Sequence, residues 1–156
     1  MSESEDLREI RRRLPRAIAR GFGPLHHRNR RLWALENSVR QTELPAKIAV
    51  LKRAIDAANL ARHAAVTQID AAVLARYRRG RAPHQRGAVI DSSSVGQMLD
   101  RLSILALKRA RIAGPTARAL AAAQWGHVLA SLERAISALA AGTWVHHPAG
   151  EVKQYG

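Results

Sequence analysis

Apolar side chains recur at three- and four-residue intervals along most of this chain, the spacing that places them on one face of an α-helix. The clearest segment runs from Leu44 to Arg79, with Pro45 in its first turn and no glycine or proline after it, which corresponds to about 50 Å of helix. No segment alternates apolar and polar residues with a period of two. The pattern therefore predicts an all-α fold, a bundle of about five helices with one long central helix. Its apolar stripe comprises Ile48, Leu51, Ile55, Val66, Ile69 and Val73.

Breaks in the pattern divide the start of the chain. An acidic stretch after Ser4 favours a helix beginning there, Pro15 kinks or splits that helix, and Gly21–Pro24 is expected to end it. A second helix then runs to about Gln41. The predicted organisation is an N-terminal basic helical segment at 1–23, a helical bundle core at 24–142 and a C-terminal tail at 143–156.

Two further helices complete the predicted bundle. Ser94 is a candidate cap for the fourth helix, which the Gly114-Pro115 pair ends, and the fifth helix ends near Gly142. The apolar face predicted for the fifth helix consists of Leu120, Trp125, Val128, Leu132, Ile136 and Leu139.

The long third helix carries a charge where its apolar stripe should be continuous. Arg62 lies between Ile55 and Ile69 on that stripe, and a buried charge is costly unless it is paired and hydrogen-bonded. Arg62 therefore either pairs with a carboxylate such as Glu36 or lines a cavity that holds an anion. Further polar residues follow one edge of the stripe, namely Lys52, Asp56, Asn59, His63 and Asp70.

The fourth helix shows the same conflict. Apolar residues cover most of its circumference, so we expect it to be buried nearly all round. Four polar residues nevertheless interrupt it, Asp100, Arg101, Ser103 and Lys108. Because two helices share this conflict, the sequence predicts a polar centre between them.

The second helix offers a carboxylate and an aromatic ring to such a centre. Glu36 and Arg40 are four residues apart, and Trp33 precedes them by one turn. One interpretation is a surface ion pair between Glu36 and Arg40, worth a few tenths of a kcal/mol (~0.3). The other places Glu36 in the polar centre with Trp33 as a stacking wall.

The net charge is +14, from 26 lysines and arginines against 12 acidic residues. Codon usage in a GC-rich genome is one explanation, and an anionic partner drawn in by the field is the other. The stretch from Arg76 to Arg86 is the best candidate for nucleic-acid binding, although such loops are commonly solvated. We expect the partner to be a small molecule that bears phosphate.

Several classes of site and location are disfavoured. The chain has no cysteine, and the adjacent histidines His26-His27 and His146-His147 are poorly placed to chelate one ion. We therefore expect neither a metal nor another cofactor. No apolar run reaches the ~20 residues that a membrane span needs, and the acidic start is unlike a secretory leader, so a cytoplasmic location is expected.

The same residues carry a family resemblance. The segments LENSVR (Leu35–Arg40), LKRAIDAANLAR (Leu51–Arg62), LDRLSILALK (Leu99–Lys108) and the closing KQYG resemble the bacterial domain-of-unknown-function family 4254. Members of that family are all-helical and often lie beside glycosyltransferase and heptose genes, which implies sugar-nucleotide chemistry. The chain departs from the family pattern at Ser93–Val95, where a Glu-Thr-Pro turn is usual. It departs again at Arg111, which replaces a histidine and would suit an additional phosphate.

The resemblance and the polar residues together predict a small non-Rossmann glycosyltransferase that uses a nucleotide-activated sugar of the ADP-heptose type, with a nucleotide or saccharide as acceptor. Asp56 or Glu36 would act as general base. The expected substrate-binding residues are Trp33, Arg40, Lys52, Asn59, Arg62, Asp100, Arg101, Ser103, Lys108 and Arg111. Alternatives are a non-enzymatic basic adaptor or nucleic-acid-binding protein, and a helical enzyme similar to chorismate mutase. A homodimer is expected, since long helices with few aromatic residues often complete their core by pairing.

Overall fold

The computed structural model describes residues 2–78, 89–90 and 93–145 and confirms the all-α class. None of the helices among these residues combines the length and apolarity that crossing a bilayer requires. Two short strands, β1 (Val89–Ile90) and β2 (Trp144–Val145), pair in parallel, although no sequence pattern predicted them. The five helices are α1 (Glu3–Arg12), α2 (Arg16–Arg40), α3 (Pro45–Arg78), α4 (Val95–Arg111) and α5 (Pro115–Ala141).

The helices pack around an apolar core to which all five contribute. Residues 41–44 join α2 to α3, and these two helices pack along each other. Helix α4 lies against α2, α3 and α5, and α1 lies against α4. The fully buried side chains include Ile10, Phe22, Ile69, Leu102 and Leu132, one from each helix in chain order.

The predicted break at Gly21–Pro24 is wrong, because α2 runs through it as one 25-residue helix. Burial of Phe22 and Leu25 against the core keeps this stretch helical, although Pro24 lacks the amide hydrogen that a helical hydrogen bond needs. Gly21 serves the contact with α3, since a Cβ atom at this position would lie 2.7 Å from Cγ1 of Ile69.

Helix ends agree with the sequence more closely. Pro15 separates α1 from α2 as predicted, and Gly142 ends α5 in the left-handed conformation with φ of 77°. The first helix is capped by Ser2 rather than Ser4, in a reciprocal pairing with Glu5.

Helix α4 is not buried nearly all round, which corrects the prediction from its apolar residues. Arg101 and Lys108 are exposed, so these charges need no buried partner. The start of α4 approaches α3 closely: the amide of Gly96 donates to Oδ1 of the buried Asp70 at 2.7 Å. This contact gives a structural role to Asp70, the carboxylate that the sequence pattern placed at the edge of the α3 stripe.

The end of the α2–α3 hairpin extends beyond the core. Between residues 30 and 57 no side chain is fully buried, and the stripe residues Ile48, Leu51 and Ile55 are only half-buried. On α5, Leu120 is 61% exposed, so its assignment to the apolar face was wrong.

Candidate functional site

One face of α2 is polar along more than half of the helix and is directed toward α4. Its members recur at three- and four-residue spacing, and contacts with Asp100, Ser103, Ile104 and Leu107 of α4 define its direction. The N-terminal part of this face is closed by hydrogen bonds, and the C-terminal part lines a cavity. The residues of the α2 polar face are His26, Asn29, Trp33, Glu36, Asn37 and Arg40.

The closed part is a buried network that joins α1, α2 and α4. Nε2 of His26 lies 3.0 Å from Oε1 of Glu3, and Nδ1 lies 2.9 Å from Oγ of Ser103. Asn29 donates through Nδ2 to the same Ser103 oxygen at 3.0 Å. Arg111 donates to the second oxygen of Glu3 at 2.9 Å.

The partners fix the proton positions in this network. A carboxylate only accepts, so Nε2–H of His26 donates to Glu3, and Nδ1 then accepts from the Ser103 hydroxyl. Burial lowers the pKa of His26, and this effect outweighs the opposing hydrogen bond that the ring donates to Glu3. Burial would raise the pKa of Glu3, yet the hydrogen bonds from His26 and Arg111 hold it below its usual value. The ring is therefore neutral and the carboxylate ionised near neutral pH.

Glu3, His26 and Ser103 are linked in the order carboxylate, imidazole and hydroxyl. They share this order with a nucleophilic triad, but not its accessible hydroxyl. Ser103 has no exposed surface, and His26 and Asn29 occupy its hydroxyl. No substrate carbon can approach that oxygen, so the arrangement orients α1, α2 and α4 and does not supply a nucleophile.

The network continues to α3 through Asp100. Asn29 donates to Oδ1 of Asp100 at 2.9 Å, and Nη1 of Arg62 donates to Oδ2 at 3.3 Å. Both side chains of the Arg62–Asp100 pair are about four-fifths buried, at 20% and 18% exposure. The anomalous charge in the α3 stripe is thus neutralised by Asp100 on α4, and not by Glu36.

 The open part of the α2 polar face is a cavity with a volume of about 140 Å³. Leu32, Ile104 and Leu107 provide its apolar walls, and the functional groups come from the α2 polar face. Trp33 is half-buried beside it, with the guanidinium of Arg111 5.9 Å from the ring centroid. We refer to this space as the Trp33 cavity; its polar lining residues are Asn29, Glu36, Asn37 and Arg40.

The other predicted site residues do not converge on the Trp33 cavity. Arg101 lines a separate cavity of about 540 Å³ between α4 and α5, together with Gln97, His127 and Ser131. Asn59 is half-buried and lines neither cavity. Three residues are exposed and line neither cavity, namely Lys52, Asp56 and Lys108.

Within residues 2–78, 89–90 and 93–145, no three histidine, aspartate or glutamate side chains are grouped as a metal site would require. The positive charge lining the Trp33 cavity comes from Arg40, with Arg111 against the neighbouring ring. The cavity therefore offers an aromatic face, one carboxylate, two amides and adjacent guanidinium groups.

Sequence reasoning missed Glu3, His26 and Asn29 as parts of the polar centre. His26 and Asn29 precede Trp33 by seven and four residues, so extending the helical spacing backward from Trp33 would have found them. Glu3 gives no such signal, because it reaches the network only through the packing of α1 against α4.

These features define a helical bundle with a polar site between α2 and α4. The family model described as "Protein of unknown function (DUF4254)" matches residues 23–138, and the chain belongs to that family. No curated protein and no solved structure matches the chain. The KQYG ending included in the resemblance lies outside the described residues, as does most of the Arg76–Arg86 stretch.

Proposed function

We propose that the protein is a small, metal-independent glycosyltransferase that binds a nucleotide-activated sugar at the Trp33 cavity. The observation that supports this most is the lining itself, where Trp33, Glu36 and Arg40 meet in one space. An aromatic face stacks on a flat ring, and a guanidinium group pairs with phosphate. The choice of an ADP-heptose type of donor follows the family resemblance.

Each group has a role in the proposed transfer. Arg40 and Arg111 hold the diphosphate and offset the charge that develops on it. Glu36 removes the proton from the acceptor hydroxyl as that oxygen bonds to the anomeric carbon. The bond from this carbon to the phosphate oxygen breaks in the same step, and the nucleoside diphosphate leaves with the bonding electrons. Asn37 is placed to bind a hydroxyl group.

The volume of the cavity limits what it encloses. At about 140 Å³ it is smaller than the roughly 300–1,000 Å³ typical of sites for whole drug-sized ligands. The proposal therefore places one ring of the donor beside Trp33 and the remainder along the exposed surface near Arg40 and Arg111. Arg62, Asp100 and Ser103 fix the neighbouring helices and do not touch the donor.

Turnover of nucleotide sugars tests the proposal. The protein is incubated with ADP- and other nucleoside-diphosphate sugars, with nucleotide and saccharide acceptors, and release of nucleoside diphosphate is followed. We expect Glu36→Gln to lower turnover by a factor of about 100 or more, as loss of a general base does. The exposed Asp56→Asn is the matched control and retains activity. Absence of turnover, and of any thermal shift with nucleotides, would overturn the proposal.

One observation favours a second candidate, a non-enzymatic basic adaptor. The Arg62–Asp100 pair and the His26 network are satisfied internally, as expected of a polar core that only locks helices together. This candidate predicts binding to polyanions that weakens steeply with salt, as release of counterions requires. It also predicts that Glu36→Gln has no effect on any measured property except local stability.

We also propose that the protein forms a homodimer through the outward face of α3. Between Leu60 and Ala71, no exposed residue of α3 is Lys, Arg, Asp or Glu, whereas 24% of the chain is charged. Leu60 is 74% exposed on this face. Two copies that each carry a charge of +14 repel one another, so a face without lysine, arginine, aspartate or glutamate is where they can meet at least electrostatic cost.

A further inference from the structure

A third cavity lies on another side of α2, between α2 and α3. Its volume is about 340 Å³, within the range of small-molecule sites. His27, Arg28 and Arg31 of α2 line one wall, and three alanines of α3, Ala57, Ala58 and Ala61, line the other. Because the alanine side chains are small, a space remains between the two helices. The longer side chains of α2 border this space.

The arginines that line this cavity are not paired with a carboxylate within the described residues. No acidic side chain lines it, and within the described residues neither Arg28 nor Arg31 forms an ion pair. Glu3, which contacts the neighbouring His26, pairs with Arg30 and Arg111. Arg28 is half-buried and donates through Nη1 to the carbonyl of Pro24 at 3.2 Å, which restricts its position.

We propose that this cavity binds the phosphate group of a small molecule. Arg28 and Arg31 are one helical turn apart on α2, so both guanidinium groups can reach one phosphate, and His27 adds a ring nitrogen. The alanine wall contacts the apolar part of the same ligand. The site is separate from the Trp33 cavity, because that cavity is lined by α2 and α4.

The test measures binding of inorganic pyrophosphate by isothermal titration calorimetry at fixed ionic strength. The double variant Arg28→Gln/Arg31→Gln removes the two guanidinium groups from this cavity. The control Arg16→Gln/Arg20→Gln removes the same charge from exposed positions of the same helix that do not line it. We expect at least about tenfold weaker binding for the first variant, since charged hydrogen bonds are lost, and less than about twofold for the control.

A third variant separates this inference from the proposed function. Arg40→Gln removes the guanidinium group proposed to hold the donor's diphosphate at the Trp33 cavity, and in this background we expect Arg28→Gln/Arg31→Gln still to weaken pyrophosphate binding at least about tenfold. Equal losses of pyrophosphate affinity in the double variant and its control would show that a diffuse electrostatic field attracts the anion. That result would overturn the inference. Loss only with Arg40→Gln, and not with the double variant, would overturn it too, since the anion would then belong to the Trp33 cavity. Circular dichroism confirms that each variant is folded.

Discussion

At the residue scale, His26 shows how the fold selects one protonation state. Its Nδ1 accepts from Ser103, which in turn accepts from Asn29, while Nε2–H donates to Glu3. Protonation of the ring would turn Nδ1 into a second donor and leave the Ser103 hydrogen without its acceptor. The neutral ring is therefore part of the packed structure of α1, α2 and α4.

The lowered pKa of His26 predicts that stability falls on acidification. Because folding lowers this pKa, chiefly by burial, the unfolded chain binds the proton more readily. The contribution is complete above pH 6.5, the value in the absence of the fold, and is lost as pH falls through the pKa of the folded chain. Urea unfolding between pH 7.5 and 5.5 measures it.

His26→Gln provides the comparison, because it removes the titrating ring. We expect the difference in unfolding free energy between the parent and this variant to shrink as the pH falls. Asp6, whose pKa is raised mainly by burial, acts in the opposite direction in both proteins and cancels in the difference. A difference that is constant across the range would contradict the assignment of a neutral buried ring.

At the element scale, the glycines explain the main error in predicting helix boundaries. Gly21 and Gly126 both lie inside helices, although Gly23 and Pro24 beside the first of them predicted a helix end there. The structure distinguishes the two, since a Cβ at Gly21 would meet Ile69, whereas nothing lies within 4 Å of one at Gly126. Gly21 therefore permits a close helix–helix contact and is no helix end. Such a contact depends on which helices become neighbours, which local sequence cannot reveal.

The same comparison yields a prediction on stability. A Cβ at Gly96 would lie 2.6 Å from the carbonyl oxygen of Val66, a backbone atom that cannot move aside cheaply. We expect Gly96→Ala to lower the free energy of unfolding by about 1–3 kcal/mol, the usual cost of overpacking. Gly126→Ala should raise it by roughly 0.5–1 kcal/mol, because alanine is the better helix former. Urea unfolding of both variants measures this, and a stable Gly96→Ala protein would refute the close approach of α4 to α3.

The candidate site was only partly predictable at this scale. The helical spacing of Trp33, Glu36 and Arg40 correctly indicated one face of α2, and the conflict at Arg62 correctly indicated a partner on another helix. The expectation that Arg101 is buried was wrong. The apolar residues around α4 suggested complete burial, whereas one side of that helix is open to solvent. Which face of a nearly all-apolar helix meets solvent is decided by its neighbours.

At the scale of the whole molecule, the excess of positive charge does not locate a site by itself. Part of it is neutralised internally, as Arg62 is by Asp100, and part lies beside cavities, as Arg28 and Arg40 do. The uncharged outward face of α3 contrasts with this surface. The proposed homodimer depends on that contrast.

Sedimentation velocity tests the proposed dimer. We expect Leu60→Asp to shift the protein from dimer to monomer at micromolar concentration, because each copy would bury an unpaired carboxylate in the interface. Leu120→Asp is the matched control, since Leu120 is 61% exposed on α5 and lies outside that face. The control should sediment as the parent does. A monomeric parent, or equal behaviour of the two variants, would rule out this interface.

The most direct test of the central claim is calorimetric titration of ADP into the parent, Trp33→Leu and Arg101→Gln. The proposed function requires a ring to stack on Trp33, and stacking of a base is worth about 1–3 kcal/mol. We therefore predict that Trp33→Leu binds ADP at least about fivefold more weakly, while Arg101→Gln, which alters the cavity between α4 and α5, binds within about twofold of the parent. No heat of binding with the parent, or unchanged affinity in Trp33→Leu, would contradict the claim that this cavity is a nucleotide site.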